Sequence, residues 1–515
     1  MLLRAGPSAA GPGASPAAET ATAAETATAA ETAAAAPAAS AAPVTVAPQQ
    51  DWADSILYFV IIDRFADGDP TNNRDVDRSA KGTFYGGDLR GLRQQLDELA
   101  DLGVTAIWIT PVVQQIPGFV TGAGFPDWGY HGYWADDFNA IDPRFGTEAE
   151  LKALVGDAHA RGMKVLLDVV YNHPGYESRY TKGAYRSWVR TGGNGGCGSD
   201  PLTECMAGLP DFFTEREDIA DYLMDAHFGL AERVGLDGFR LDTVKHVDHP
   251  FWQTHRARAK ERFGDDFFLL GEVWGGSATV LDAWFVNDEM DAGFDFGFKG
   301  SAQAFVQGRG RAVAFNRYLE KRHAVRDGYH LAHYLSSHDV PGALWELGEN
   351  MAQFRLTALL KFTALGIPTI YYGEEVGRLG GDWPANRSAM PWGDRGILPG
   401  KDLPRDENLR DFYKTLIQTR RDHPALWRGA HEGLVFEQDV YAFQRLDAAS
   451  DDAVVVVVNR SPDVTHTATV PRPERWAGAA TVVDALTGDT ARVEGDQLMI
   501  ELPPLGGRIL VPSAG

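Results

Sequence analysis

Four short apolar runs of this chain each end in charged or imidazole side chains, and helix-like sequence separates them. The runs are KVLLD, GFRLD, FFLLGE and YLSSHD, and they end at Asp168, Asp242, Glu272 and His338-Asp339. In a β/α barrel, the carboxyl ends of the parallel strands carry the functional side chains. The pattern therefore predicts an α/β fold, a (β/α)8 barrel with its polar strand ends on one face.

The stretch GFRLDTVKH, residues 238–246, is the most informative of these runs. Arg240 and Asp242 are two residues apart, so the period of a β-strand places both side chains on the same face. Unpaired buried charge is costly, so the two residues form either a structural ion pair near a strand end or part of a functional site. These nine residues alone leave both interpretations open, and the other polar strand ends favour the functional one.

The neighbouring motifs point to a known family. DxVxNH, GxRxDxxxH, an apolar run followed by Glu, and HD occur here in that order. In these motifs the chain resembles the α-amylase superfamily of glycoside hydrolases, over residues 52–512. The resemblance implies a TIM barrel with an irregular excursion after strand 3 and a C-terminal antiparallel β-sandwich.

Changes in amino-acid composition and in hydrophobic periodicity indicate the expected domain boundaries. Residues 1–50 are mostly Ala, Pro, Thr, Ser and Gly without an apolar face, which predicts a disordered linker. Residues 51–173 and 212–425 alternate helical and strand patterns and form the predicted barrel. Residues 174–211 lose regular periodicity and match the excursion. Residues 426–515 contain short alternating runs with Asn, Pro and Gly breaks, which predict the β-sandwich.

Hydrophobic periodicity also predicts individual elements of the barrel. Predicted strands cover 55–65, 105–111, 267–271, 331–336 and 369–375. Predicted helices cover 89–103, 148–162, 219–234, 250–263, 311–322, 351–365 and 409–421.

The resemblance assigns the catalytic roles. Asp242 would be the nucleophile and Glu272 the acid/base, while Asp339 would bind sugar hydroxyls and favour the distorted ring. Retention of anomeric configuration places the two reacting carboxyl groups about 5–5.5 Å apart. Arg240 would keep the nucleophile ionised, whereas Glu272 needs a raised pKa, which burial or the charge of Asp242 would supply.

Further side chains would bind the sugar. A lone histidine is more often a core residue, but two histidines at matching strand ends favour binding. By resemblance, the substrate-binding residues are Arg240, Tyr133, which would stack on the sugar, His173 and His338, which would hydrogen-bond it, and Lys245 and His246, which would contact the leaving-group sugars. One departure is Ser337, because the family usually has Asn before the HD pair, and this affects fine positioning.

Two calcium sites are expected. Oxygen donors crowd around turn residues near the N-terminus and resemble the calcium loop of bacterial amylases and cyclodextrin glucanotransferases. This loop site would comprise Asp67, Asp69, Asn72, Asn73, Gly86 and Asp88. By resemblance to the family's calcium site between excursion and barrel, the excursion site would comprise Asn172, Asp211 and the backbone carbonyl of His246. The alternative for the loop site is a turn-rich cluster that holds no metal, and the alternative for Asn172 is an ordinary turn residue.

The net charge of the chain limits the kinds of partner that it is expected to bind. The chain has 48 basic and 71 acidic residues, a formal charge of −23, which argues against a nucleic-acid or anionic-membrane partner. It suits a neutral sugar and bound cations. The sequence has no apolar run of 18 residues, so no membrane span is expected. A monomer is expected.

Two features bear on the compartment. Cys197 and Cys205 lie eight residues apart in a Gly-rich loop, and we favour a disulfide over two free thiols. The N-terminal MLLRAGPS lacks the continuous apolar stretch of a signal peptide, so either the true start lies upstream or export is unusual. The expected location is extracellular or periplasmic.

The sequence predicts an α-amylase-type enzyme that hydrolyses internal α-1,4-glucosidic bonds of starch, glycogen or maltooligosaccharides through a covalent glycosyl-enzyme intermediate. One alternative is a cyclodextrin-forming transglycosylase, although such relatives typically carry domains beyond the β-sandwich. Another is a cyclomaltodextrinase, which commonly has an ordered β-domain before the barrel that residues 1–50 cannot build. A non-catalytic sugar-binding relative is disfavoured because Asp242, Glu272, Asp339 and Arg240 are all present.

Overall fold

Eight parallel strands close into a barrel, and their order around it is their order in the chain. The computed structural model describes residue 45 and residues 51–194, 196–477 and 481–513, so the predicted linker over residues 1–50 lies outside the described residues except for Thr45. The barrel strands are β1 (Leu57–Val60), β2 (Ala106–Ile109), β3 (Lys164–Val169), β4 (Gly238–Leu241), β5 (Phe268–Gly271), β6 (Ala292–Phe294), β7 (His330–Tyr334) and β8 (Ile367–Tyr371).

Helices follow the strands and cover the outside of the barrel. They are α1 (Ile62–Phe65), α2 (Leu89–Gln94), α3 (Leu96–Leu102), α4 (Glu148–His159), α5 (Glu217–Val234), α6 (His249–Phe263), α7 (Ala278–Phe285), α8 (Gly297–Val306), α9 (Ala312–Arg322), α10 (Ala343–Glu346), α11 (Met351–Thr363), α12 (Glu407–Asp422) and α13 (Pro424–Trp427). In the part of the chain that the structure describes, no helix is long and apolar enough to cross a membrane.

The sequence explains where several helices begin and end. Thr147 and Glu150 form a reciprocal capping box at the start of α4. Helix α5 ends at Gly235, whose φ of 82° is in the left-handed region that glycine adopts without strain. Every residue of β1 and β4 is buried, as expected for strands covered on both faces.

The structure corrects two of the predicted elements and adds a strand. The strand predicted over 55–65 ends at Val60, and Ile62–Phe65 is a helical turn that buries the adjacent ion pair of Asp63 and Arg64. The helix predicted over 89–103 is divided at Gln95, where φ and ψ are −102° and 11°. Strand β6 was not predicted, because its three residues are too few to show a periodicity.

The excursion lies between β3 and α5. Its only described ladder is a short antiparallel pair, Val189–Arg190 with Asp211–Phe212, and the N–H of Phe212 donates to the carbonyl of Asn172 at 2.8 Å. Cys197 and Cys205 form a disulfide, which confirms the predicted pairing. The excursion therefore leaves and rejoins the barrel at the carboxyl end of β3.

The C-terminal region is antiparallel throughout its described ladders. Its strands are β9 (Ala430–Phe436), β10 (Val440–Asp447), β11 (Asp452–Asn459), β12 (His466–Pro471), β13 (Val482–Asp484), β14 (Thr490–Glu494), β15 (Gln497–Leu502) and β16 (Gly507–Pro512). They pair in the order β9-β10-β11-β16-β13-β14-β15-β12. Val455 and Val457 of β11 share one apolar core with Val470 of β12 and Leu498 of β15, so the sheet folds over itself and the predicted sandwich is confirmed.

Candidate active site

One guanidinium joins carboxylates from three adjacent strands. Arg240 Nη1 lies 2.5 Å from Asp242 Oδ1 and 3.1 Å from Asp168 Oδ1, and Arg240 Nη2 lies 2.9 Å from Glu272 Oε1. All four side chains are buried. Three carboxyl groups in one buried site would repel one another, and the central Arg240 offsets that repulsion.

Strand register brings these residues together. In the parallel barrel, Arg240 of β4 is opposite Asp168 of β3 and Leu270 of β5. Asp242 and Glu272 directly follow the ends of β4 and β5. The predicted meeting of polar strand ends on one face of the barrel is therefore confirmed.

The environment of Glu272 favours its protonated form. Burial raises the pKa of Glu272, the nearby Arg240 opposes this, and the charges of Asp242 and Asp339 raise it further. Thr243, held at a φ of 47°, donates its backbone N–H to Glu272 Oε2 at 3.0 Å. Glu272 thus has the raised pKa that the sequence predicts for an acid.

Asp168 was noted at a strand end but was given no role. Its Oδ2 accepts hydrogen bonds from the Tyr133 hydroxyl at 2.7 Å and from Trp108 Nε1 at 3.0 Å. Burial raises the pKa of Asp168 to about 7, against the lowering effect of Arg240. Asp168 therefore connects the Tyr133 ring to Arg240 and positions both.

A second group of side chains surrounds Asp339. His338 Nε2 lies 3.1 Å from Asp339 Oδ2, and the ring of His338 is nearly parallel to that of Tyr133, with centroids 5.2 Å apart. Burial lowers the pKa of His338 well below its usual value, so the imidazole is neutral at pH 7. Ser337 Oγ accepts from the N–H of Asp339 at 3.2 Å and so shapes this turn.

Sequence reasoning missed Arg387. Its Nη2 lies 3.3 Å from Asp339 Oδ1, and its Nε donates to the carbonyl of His338 at 2.9 Å. The residue ends a short helical turn, Ala385–Arg387, that follows β8 and that no apolar run marks. Nothing in the local sequence distinguishes this arginine from a surface one.

A cavity of about 460 Å³ opens over these groups. Six of the predicted residues line it: Tyr133, His173, Asp242, Glu272, His338 and Asp339. Arg240 lies beneath it. Trp274 also lines the cavity and is half-exposed, and its position two residues after Glu272 would have indicated it, because alternate residues of an extended segment share a face.

Lys245 contacts the segment after β5, whereas His246 contacts the excursion. Lys245 Nζ donates to the carbonyl of Trp274 at 3.3 Å. His246 Nδ1 lies 2.9 Å from the carbonyl oxygen of Pro201. Within the described residues, neither side chain lines the cavity, so their contact with leaving-group sugars stays a prediction.

Comparison with known proteins identifies the family. The family model described as "Alpha amylase, catalytic domain" matches residues 59–193 and 201–429, and "Alpha amylase, C-terminal all-beta domain" matches residues 436–513. The chain belongs to the alpha-amylase family. It is a glycoside hydrolase of that family.

Its relatives within the alpha-amylase family carry several names. Neopullulanase 2 of Thermoactinomyces vulgaris is 31% identical over 489 residues, which cover 89% of this chain and 78% of the relative. Cyclomaltodextrinase of Geobacillus thermopakistaniensis is 29% identical over 88% of this chain and 76% of that one. An Anoxybacillus alpha-amylase structure superposes with a TM-score of 0.79 at 30% identity and covers 91% of this chain and 100% of its own.

The excursion site of this alpha-amylase family chain gathers three oxygens. In one orientation of the Asn172 amide, its Oδ1 lies 3.0 Å from both Asp211 Oδ1 and the His246 carbonyl oxygen. In the rotated orientation, its Nδ2 donates to both of them. Asp211 Oδ2 also accepts from Arg190 Nη1 at 2.6 Å. The first orientation suits a bound cation, and the second satisfies the same groups without one.

The loop site has several unpaired oxygens. Asp67 Oδ1, Asn72 Oδ1 and Asn73 Oδ1 are buried and have no hydrogen-bond partner among the described residues. Asp88 differs, because its two oxygens already accept from Gly68 N, Asp69 N, Gly91 N and Asn72 Nδ2. Buried oxygens without a donor are costly, so a cation fits the first three better than an empty loop.

The two remaining residues of the predicted loop site are less clearly oriented toward a cation. Asp69 Oδ1 accepts from Thr71, and Asp69 Oδ2 lies 3.1 Å from Arg90. Gly86 approaches Asn73 so closely that an added Cβ would lie 2.2 Å from Asn73 Oδ1. No group of three or more His, Cys, Asp or Glu side chains within the described ranges is arranged to hold a metal. Any cation in the loop would therefore depend on amide oxygens.

Proposed function

We propose that this enzyme hydrolyses α-1,4-glucosidic bonds of α-glucans with retention of configuration, with Asp242 as nucleophile and Glu272 as acid/base. The observation that carries the proposal is the pair of buried carboxyl groups on adjacent strands, both bound by Arg240 and both lining one cavity. The environment of Glu272 suits a proton donor, because burial and the charges of Asp242 and Asp339 raise its pKa. Two carboxyl groups with separate tasks are what glycoside hydrolysis requires.

The reaction follows from these positions. Glu272 donates its proton to the glycosidic oxygen while the carboxylate of Asp242 attacks the anomeric carbon, so the C–O bond to the leaving sugar breaks as an ester bond to Asp242 forms. Glu272, now ionised, then removes a proton from water, which attacks the anomeric carbon and releases Asp242. Arg240 Nη1 stabilises the departing carboxylate at 2.5 Å.

The remaining side chains would hold the reacting sugar. Asp339 would accept hydrogen bonds from its hydroxyls, with Arg387 fixing the carboxylate at 3.3 Å. His173 and the neutral His338 would contact the same ring. Tyr133, whose hydroxyl is anchored on Asp168, would present its ring to the sugar.

Trapping the intermediate tests these roles. We expect a 5-fluoro-α-glycosyl fluoride to add one glycosyl residue to the peptide that contains Asp242, and mass spectrometry of the digest locates it. Asp242→Asn should abolish the label. A label on another carboxyl group, or inversion of the first-formed anomer in a proton NMR time course, would refute the assignment.

Hydrolysis of cyclodextrins is a second candidate, and the names of the relatives support it at least as well. The same two carboxyl groups would open a ring, so the substrates differ in shape and not in chemistry. Initial rates on soluble starch, pullulan and cyclodextrins decide between the candidates. A kcat/KM on β-cyclodextrin that exceeds the value on starch identifies a cyclomaltodextrinase, and an Asp242→Asn preparation controls for contaminating amylase.

We also propose that calcium binds at the two predicted sites. At the excursion site, Asn172, Asp211 and the His246 carbonyl would hold it, and the converging oxygens support this. At the loop site, the buried unpaired oxygens of Asp67, Asn72 and Asn73 support it. Oxygen-only donors favour calcium over zinc. A calcium ion at the excursion site would tie the excursion to the ends of β3 and β4.

The disulfide supports a location outside the cytoplasm. Disulfides persist in oxidising compartments, and both cysteines of the chain are used in one. We therefore propose an extracellular or periplasmic enzyme. The monomeric state stays a prediction from the sequence.

A further inference from the structure

The disulfide of the excursion lies next to the active-site cavity and has no role in the proposed mechanism. Cys197 and Cys205 close residues 197–205 into a loop, which we call the crosslinked loop. Three of the next four residues line the cavity, so we call residues 206–209 the wall segment. A change in the shape of the crosslinked loop therefore passes along the chain directly into the wall of the cavity.

The crosslinked loop has few other interactions that hold its shape. No described residue of the loop belongs to an apolar core, and Leu202 is 44% exposed. Thr203 donates its hydroxyl to Asp200 Oδ2, and its carbonyl accepts from the N–H of Gly198 at 2.7 Å. Segments with few buried contacts open locally at a low cost in free energy. The disulfide is therefore the main constraint on the loop.

The conformation of the wall segment depends on the crosslinked loop. Ala207 has a φ of 52°, in the left-handed region that is unfavourable for a residue with a Cβ. Its carbonyl accepts from the Tyr176 hydroxyl at 2.9 Å, and the N–H of Gly208 donates to the carbonyl of Cys205 at 2.8 Å. A strained residue persists only where its surroundings fix it. Cys205, at one end of the crosslink, is one of the residues that fix Ala207.

The crosslinked loop also contacts the turn that follows the nucleophile. His246 Nδ1 lies 2.9 Å from the carbonyl oxygen of Pro201 and 3.5 Å from Glu204 Oε1, and both are acceptors. His246 ends the short turn that follows Thr243, and the N–H of Thr243 donates to Glu272 Oε2 at 3.0 Å. The loop thus connects the cavity wall to the turn beside the reacting carboxyl groups.

A dithiol can reduce the disulfide in a balanced exchange. Both cysteines are half-buried, and Gly198 and Ser199 beside them are exposed, so the sulfurs are within reach of a small reagent. One thiolate of the reagent attacks a sulfur and breaks the S–S bond, and its second thiol resolves the mixed disulfide. The reagent becomes a cyclic disulfide, and two electrons and two protons pass to the two cysteines.

We propose that the Cys197–Cys205 disulfide is a redox-sensitive positioning device, which holds the cavity wall in its glucan-binding shape and releases it on reduction. Reduction then weakens glucan binding and leaves the reacting groups in place, because Arg240 binds Asp242 and Glu272 within the barrel. This inference rests on the proposed hydrolysis of α-glucans. It makes full activity depend on an oxidising compartment, in which the disulfide persists.

Kinetics of the reduced enzyme test the proposal. After complete reduction by dithiothreitol, verified by mass spectrometry of alkylated protein, KM on soluble starch should rise about fivefold and kcat should change less than about twofold. A crosslink that only stabilised the fold would lower the melting temperature and leave KM unchanged at temperatures well below it. An unchanged KM after complete reduction, or a loss confined to kcat, would overturn the proposal.

The cysteine content of the chain provides a matched control, because Cys197 and Cys205 are its only cysteines. The double variant Cys197→Ser, Cys205→Ser should have the raised KM without any reagent and should not respond to dithiothreitol. A response of this variant would assign the effect to another action of the reagent and refute the proposal. Reduced wild-type enzyme is made from folded protein, so the kinetic test does not require the double variant to fold.

Hydrogen exchange gives a second measurement that needs no turnover. On reduction, amides of residues 206–209 should exchange about tenfold faster, whereas those of helix α4 should keep their rates. Equal rates at residues 206–209 in the oxidised and reduced enzyme would show that the disulfide does not hold the cavity wall. If the enzyme cleaves no α-glucan, the proposed function fails, and the exchange rates still decide whether the disulfide positions the wall.

Discussion

Buried arginines occur in two very different surroundings in this molecule. At the carboxyl end of the barrel, Arg240 is bound by three carboxylates. At the junction of barrel and sandwich, Arg420 Nη1 donates to the carbonyls of Phe362, Ala364 and Leu426 at 2.9–3.0 Å, and Nη2 donates to that of Gly366 at 2.6 Å. Arg445 likewise donates to the carbonyls of Thr363 and Gly429.

The difference shows how surroundings decide what a buried charge does. Burial alone would lower the pKa of Arg240, but its carboxylates raise it. Burial lowers the pKa of Arg420 and Arg445, and repulsion from nearby arginines, Arg445 for Arg420 and Arg322 for Arg445, lowers it further. Carboxylates exchange protons and face a cavity, whereas carbonyls do neither. The first arrangement therefore suits chemistry, and the second joins two domains.

The largest expected effect comes from removing a carboxylate bound to Arg240. Asp242→Asn or Glu272→Gln should lower kcat on starch by several orders of magnitude, because the nucleophile or the proton donor is lost. The thermal melting temperature should change little, since both substitutions keep the side-chain size. More than a few per cent of residual activity on starch would show that the roles are wrongly assigned.

The pH dependence of the reaction should reflect the raised pKa of Glu272. Glu272 must be protonated to act, and its pKa is raised to about 8, so kcat/KM on starch should fall as pH rises through that value, about tenfold per pH unit above it. A substrate that needs no proton, such as an α-glycosyl fluoride, should show a flatter alkaline limb. Identical limbs for both substrates would rule out Glu272 as the acid.

The junction should respond in stability and not in chemistry. Arg420→Met leaves four buried carbonyls without a donor, which should lower the free energy of unfolding by about 3 kcal/mol. Specific activity well below the melting temperature should stay unchanged. Arg492, whose side chain is 77% exposed, provides the matched control, since Arg492→Met should alter neither quantity. A normal melting curve for Arg420→Met would contradict the comparison.

Calcium removal should have a smaller effect than the preceding substitutions. The excursion, which joins the barrel beside the active site, would transmit this effect to the active site. If calcium binds as proposed, EDTA should lower the melting temperature by several degrees and reduce activity, because a bound ion would stabilise the native state in preference to the unfolded chain. Added calcium should reverse both changes, and magnesium should not. The proposal fails if protein proven metal-free by elemental analysis keeps its melting temperature and activity.

The Asp211→Ala variant separates the effect of losing bound calcium from the effect of losing the ion pair between Asp211 and Arg190. Asp211→Ala removes a proposed calcium ligand and also the ion pair with Arg190 at 2.6 Å, so its melting temperature should fall for two reasons. Loss of the ion pair alone would leave the effect of added calcium on the melting temperature unchanged, whereas loss of a calcium ligand should reduce that effect. A full calcium response in Asp211→Ala would place the ion elsewhere.

The smallest expected effect is that of the N-terminal segment. Deleting residues 1–48 should leave activity and melting temperature nearly unchanged, because Ala- and Pro-rich sequence without an apolar face buries little surface. The deletion keeps Trp52, whose ring stacks on Phe268 of β5 at 4.1 Å. A fall of many degrees would show that the segment packs on the barrel.

Local sequence determined much of this protein. The polar ends of β3, β4 and β5 were predicted because a barrel strand is short and its side chains alternate. A stretch of at most nine residues was therefore enough to identify each of Asp168, Asp242 and Glu272 as the polar end of an apolar run. Helix α4 was likewise predicted from its apolar spacing and begins where predicted. Strand β6 and the division at Gln95 were not, because such short elements are set by their neighbours in space.

Only the tertiary structure decided how the site is completed. Arg387 reaches Asp339 from 48 residues along the chain, and the ring of Phe125 stacks on that of Trp383, which lines the cavity and follows it 258 positions later. Such long-range pairs produce no periodic pattern in the sequence, because their contact arises from the closure of the barrel and from the paths of two irregular segments. The sequence thus determined which carboxyl groups meet at the end of the barrel, because strand geometry is local. The fold determined which side chains surround those carboxyl groups, because contacts between loops are not local.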